Sequence, residues 1–138
     1  MSKYESGVKH IPYSQQQVYD TLSDLNNIDK IKDRIPSEQM QSLTYDHDTV
    51  AVSVPPVGKI TMCIIEREEP KCIEFEAQNS PVPYNLWVQI LPEADDACKM
   101  KVTVKADIPI FLKPMIGGKL GEGVDKIAET LAMIPYDK

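Results

Sequence analysis

The chain has 138 residues, with 15 basic against 21 acidic side chains and a net charge of −6. That size, with 42% apolar and 26% charged residues, fits one folded domain over residues 1–138 whose core needs no metal or disulfide staple. The acidic balance and the lack of any Lys/Arg cluster argue against a nucleic-acid partner, and no stretch approaches the roughly 20 apolar residues of a membrane span.

Residues 3–11 alternate, with Tyr4, Ser6, Val8 and His10 on one face and Lys3, Glu5 and Lys9 on the other, which predicts a strand with one wet side. Pro12 ends it. Ser14 and Gln17 have capping-box spacing, and Val18, Leu22 and Leu25 then recur as the apolar stripe of a first helix. Asn26 and Asn27 interrupt that helix and can cap a second short one carrying Ile28, Ile31 and Ile35, which must stop before Pro36.

Six period-two segments follow. Leu43 and Tyr45 lead into the turn Asp46-His47-Asp48; Val50, Val52 and Val54 alternate up to Pro55-Pro56-Val57-Gly58. Residues 59–67 and 71–78 read as strands joined at Glu68-Glu69-Pro70. Residues 84–91 and 98–108 read as two more, joined at Pro92-Glu93-Ala94-Asp95-Asp96. Such short reversals predict an antiparallel meander, because parallel neighbours need long crossovers. The period then changes: Leu112, Ile116, Leu120, Val124, Ile127, Leu131 and Ile134 step by three or four, predicting one long amphipathic helix.

The fold class expected is therefore α+β: seven antiparallel strands, two short helices after the first strand, and a long C-terminal helix across the apolar face. This order, with the run Val18-Tyr19-Asp20-Thr21-Leu22-Ser23-Asp24-Leu25-Asn26-Asn27-Ile28, resembles the helix-grip fold of the START-related and pollen-allergen-like superfamily (SRPBCC), which includes polyketide cyclase and dehydrase proteins. The tryptophan often found in the second helix is absent here, with Ile28 and Ile31 in its place. The resemblance implies a sheet curved around the helix and an internal cavity for a lipid-, polyketide- or isoprenoid-like ligand. It implies no shared catalytic residue.

Gly117, Gly118, Gly121 and Gly123 crowd the start of the final helix, where each costs roughly 0.5–1 kcal/mol relative to alanine. Close backbone packing, a kinked entry turn near Pro114, or room for a ligand would each account for them. The residues expected to line a ligand cavity are Tyr4, His10, Phe75, Tyr84, Leu86 and Met100 from the strands. Ile116 and Leu120 would meet them from the helix, with Phe111 and Met115 at an entrance beside Pro81-Val82-Pro83.

Neither His10 nor His47 has metal-ligand company, Gly117-Gly118-Lys119 fails the phosphate-loop spacing, and Gly121-Glu122-Gly123 lacks a third glycine at Lys126. Glu74 and Glu76 fall on the wet side of their strand. No cofactor or catalytic set is expected, so binding of a small hydrophobic ligand ranks ahead of catalysis. The three cysteines (Cys63, Cys72, Cys98) lie in strand segments as small hydrophobes, and a cytoplasmic setting fits them. Two alternatives stay open: a polyketide cyclase or dehydrase-like enzyme working through His10, Tyr84 or Tyr4, and a protein-interaction domain of co-chaperone type. If Trp87 faces outward it would mark a homodimer or partner patch.

Overall fold

The first predicted strand is two strands. β1 (Ser2–Glu5) and β2 (Lys9–Ile11) both pair antiparallel with one partner, β8 (Ala97–Ala106). The structure, a computed structural model, describes residues 2–27, 41–54, 58–78, 83–134 and 136. Between the two pieces lies a bulge. Glu5 faces Thr103 and Lys9 faces Met100, so the edge advances four residues while β8 advances three.

Ser6 stitches this bulge. Its backbone N–H donates to the Val102 carbonyl at 2.9 Å, and its hydroxyl accepts from the Val102 N–H at 2.9 Å and donates to the Gly7 carbonyl at 2.9 Å. The side chain thus replaces the ladder group that the extra residue displaces. A one-residue offset reverses which face each side chain takes. Tyr4 stays on the inner face, but His10 turns outward and Ile11 turns in, where it is almost completely buried. The expected inward facing of His10 and Val8 is therefore corrected: Val8 sits exposed in the bulge, and His10 Nδ1 lies 3.1 Å from Glu93 Oε2 at the surface.

α1 (Gln15–Leu22) begins with the expected reciprocal cap. The Ser14 hydroxyl accepts from the Gln17 N–H at 3.1 Å, and the Ser14 N–H donates to Gln17 Oε1 at 3.0 Å. Its buried face carries Val18, Tyr19 and Leu22, and Leu25 continues that face in a 3-10 turn at Leu25–Asn27. The second predicted helix, with Ile28, Ile31 and Ile35, lies outside the described residues.

The remaining strands are β3 (Gln41–Tyr45), β4 (Thr49–Val54), β5 (Gly58–Glu68), β6 (Cys72–Ala77) and β7 (Tyr84–Ala94). Counted with the divided edge, they make an eight-stranded antiparallel sheet in the order β1-β8-β7-β6-β5-β4-β3, with β2 also on β8. The β3–β4 turn closes as its composition requires: Asp46 Oδ1 accepts from the N–H groups of Asp48 and Thr49, at 3.0 and 2.8 Å. β7 runs past Pro92 to Ala94, so only Asp95 and Asp96 remain in the turn to β8. A register irregularity between Pro92 and Ala94 accommodates the proline, which cannot donate to the ladder.

β8 leads through a 3-10 turn (Ile110–Leu112) into α2 (Lys113–Ala132), which is continuous helix over its 20 residues. No break in the helix marks the entry turn considered for the glycines. α2 approaches β8, β1 and β2 most closely, with a further contact to β4, while α1 covers β7 together with β6 and β8. Val124 and Ala128 point into the core and Leu120, Ile127 and Leu131 flank it. After the helix, Ile134 and Tyr136 fold back into the same core beside Tyr13, whose ring meets that of Tyr136 edge-on at 6.0 Å.

Candidate ligand site at the open end of the sheet

Cross-strand register sorts the inner face into rows. Ile64, Phe75, Leu86, Val104 and Tyr4 are successive partners across β5, β6, β7, β8 and β1. In one direction the next rows are Ile73–Val88–Val102, then Ile90–Met100, then Cys98–Ile11, and all of these side chains are at most 2% exposed. α1 and the C-terminal Tyr136 seal this closed end. In the other direction come Met62–Ala77 and Tyr84–Ala106, and here solvent access returns. Tyr4, Ile60, Tyr84 and Leu120 pack against the core while remaining only partly buried. The inner face is therefore sealed at one end and accessible at the other.

Tyr84 gives the open end its polar group. Burial alone pushes its hydroxyl up to about 12, and among the described residues none hydrogen-bonds it. A desolvated phenol that stays protonated can donate to or accept from a ligand group. The charged inner-face side chains of the described strands are both paired: Lys9 Nζ lies 3.3 Å from Asp125 Oδ1 on α2, and Arg67, the cross-strand partner of Ile73, reaches Asp48 Oδ1 at 2.5 Å and donates to the Ser23 carbonyl at 2.8 Å. Asp125 also accepts from the Gly7 N–H at 3.3 Å; that bond first, and then Lys9, hold its carboxyl below the usual range.

The expected site residues divide accordingly. Tyr4, Phe75, Tyr84 and Leu86 come together at or next to the open end, with Leu120 on the facing helix. Met100 is deep core on the closed side, His10 is outside, and Phe111 and Met115 are on the exposed lead-in to α2. The side chain of Ile116 and residues 81–82 lie outside the described residues. Ile64 and Met62 belong to the same rows but were not singled out, because their strand's facing was not assigned from its sequence. Residues 60, 62 and 64 do share one parity, a signal that was present there.

One of the three readings is excluded for two of the glycines. A Cβ added at Gly118 or Gly121 would meet no atom within 4 Å, so close packing is not why they are glycine. Since the helix is regular there, the double variant Gly118→Ala/Gly121→Ala is expected to gain about 1–2 kcal/mol, raising Tm by about 4 °C per kcal/mol. Thermal unfolding checks this, and an unchanged or lowered Tm would count against an unobstructed helix flank.

Nothing in the arrangement resembles a nucleophile–base pair. Glu74 and Glu76 face outward, and Glu74 Oε2 accepts from Asn85 Nδ2 at 2.8 Å. Burial, then nearby glutamates, pushes the Cys72 thiol up to about 11, and burial, then Glu93, does the same for Cys98. Thiols so raised are poor nucleophiles. No group of three or more metal-binding side chains occurs among the described residues, nor is any described helix long and apolar enough to cross a membrane. Trp87 lies on the outer face between Glu74 and Thr103, with Lys105 Nζ 5.7 Å from its ring centre.

No protein-family model matches the sequence, and no curated protein does so either. Solved structures do match in fold. A truncated norcoclaurine synthase from Thalictrum flavum superposes with a TM-score of 0.73 at 10% identity, covering 95% of this chain and 91% of that one. The same enzyme in complex with dopamine and hydroxybenzaldehyde gives 0.69 at 12% identity, over 95% and 84%. A START superfamily protein from Mycobacterium smegmatis gives 0.67 at 14%, over 94% of each chain. At these identities the likeness is one of fold. It is the helix-grip fold that the element order and the α1 run resemble.

Proposed function

We propose, from a helix-grip fold shared with a START superfamily protein and with norcoclaurine synthase, that this protein binds a small, uncharged, hydrophobic ligand between the open end of its sheet and α2. The observation that carries this reading is the gradient along the inner face. Rows packed solid at the closed end give way to partly accessible Tyr4, Tyr84, Ile60 and Leu120 at the other. An uncharged ligand is favoured because the inner-face cations of the described strands are already paired, Lys9 with Asp125 and Arg67 with Asp48, and an unpaired ion would be costly to desolvate there. The Tyr84 hydroxyl supplies one orienting hydrogen bond. A catalytic role has less support, since the accessible end carries phenols but no described carboxylate, imidazole or thiol.

Titration with the neutral fluorophore N-phenyl-1-naphthylamine tests this directly. Saturable one-to-one binding is expected, weakened at least about tenfold by Leu120→Trp, which fills the space beside the helix. Tyr84→Phe should weaken ligands with a hydrogen-bonding group by about two- to tenfold and leave pure hydrocarbons unaffected. Binding that fails to saturate, or that neither substitution alters, would refute the site.

A further inference from the structure

We propose that the lead-in to α2 is a membrane-docking tip, in which Ile110, Phe111 and Met115 enter the interfacial layer of an anionic lipid bilayer. These three side chains are 83%, 77% and 66% exposed, the three most exposed large apolar residues described. The other exposed apolar residues, Val8, Ile65, Leu91 and Met133, are scattered over separate elements. Every described side chain from Pro109 through Lys119 is exposed, and burial resumes only at Leu120. The described apolar side chains of this segment therefore sit in water at a cost that a soluble surface rarely sustains for several near neighbours.

Charge identifies the partner. The chain as a whole is at −6, yet Lys113 and Lys119 are the only charged residues between Asp107 and Glu122. The positive end of the α2 dipole lies in the same place. Apolar side chains at a tip, flanked by lysines and a helix N-terminus and free of carboxylates, match an anionic headgroup layer over an acyl boundary. The acidic groups elsewhere are repelled by that surface and leave this tip as the favoured approach. The tip also follows directly on Ala106, the cross-strand partner of Tyr84, so docking brings the open end of the sheet toward the bilayer. Docking itself does not depend on whether that end holds a ligand.

Co-sedimentation with vesicles of phosphatidylcholine, with and without phosphatidylglycerol, tests this on the whole chain. The wild-type protein is expected to partition onto the mixed vesicles. Ile110→Ser/Phe111→Ser/Met115→Ser should lower that partitioning at least about tenfold while leaving the unfolding midpoint unchanged, because the replaced side chains are exposed. Lys113→Gln and Lys119→Gln should each cost about fivefold on the mixed vesicles and little on phosphatidylcholine alone. Equal wild-type binding to both vesicle types, no binding to either, or undiminished binding by the triple serine variant would overturn the proposal. So would a concentration-dependent dimer that the serine variant dissolves without any vesicle binding, which would assign the patch to a second copy of the chain.

Discussion

Tyr136→Ala should destabilise the protein by about 3–5 kcal/mol, as large a loss as an aromatic residue in the middle of a core produces. The size is unexpected for a position so near the C-terminus, where side chains are ordinarily dispensable. Its cause is placement. Tyr136 is 3% exposed, packs in the same core cluster as Cys98 and Ile11, and meets the Tyr13 ring edge-on. Its hydroxyl donates to the Leu131 carbonyl at 2.6 Å, one of the groups at the end of α2 that the helix itself leaves unbonded. Tyr136→Phe keeps the ring and loses only that bond, so about 1–2 kcal/mol is expected. Urea denaturation of the two variants separates the contributions. A loss below about 1 kcal/mol for the alanine variant would mean that the tail is not part of the closed end.

Tyr136 also sets an alkaline limit. Burial raises its pKa well above the ordinary value of 10.0. The folded state therefore holds the phenolic proton more tightly than the unfolded state does. The associated stability is complete below about pH 10 and declines as pH rises beyond it. Tyr136→Phe should flatten that decline.

The second large effect concerns two adjacent residues. Ile11→Ala is expected to cost about 2–5 kcal/mol, whereas His10→Ala should stay within about 0.5 kcal/mol. Ile11 is 1% exposed, while the His10 side chain is 68% exposed, with Glu93 its one partner among the described residues. The contrast tests the bulge. If residues 3–11 ran as one regular strand, His10 would share the inner face with Tyr4 and the order of the two losses would reverse. Denaturation midpoints of both variants at one pH decide it.

Most of the architecture was legible because it rests on repetition. Period-two runs located β4 through β8, the capping box located the start of α1, and the heptad-like steps from Leu120 to Leu131 located α2. The break in the first strand was not legible. Its alternation continues unbroken through Ser6-Gly7-Val8, and only the pairing with Val102, a residue far away in sequence, turns the chain. Tyr136 was missed for a similar reason, since a tyrosine one residue beyond Pro135 carries no periodic signal and becomes core through tertiary folding alone. Within the candidate site, strand parity correctly grouped Phe75, Leu86 and Tyr84. It failed for His10, where the bulge reversed parity, and it could not distinguish deep Met100 from accessible Tyr84, because alternation reports which face a residue takes and not how far along the sheet it lies.

The bulge at Ser6 also bears on how separate molecules meet. Among the described residues the β1–β2 side is a free margin of the sheet, and an unbroken strand there would offer a second molecule a straight row of unpaired amides and carbonyls, the template from which aggregates grow. Here the margin is cut into pieces of four and three residues, and the Gly7 amide between them is taken up by Asp125 from α2. The extra residue that turns His10 outward thus also leaves this margin without a run long enough to recruit another chain.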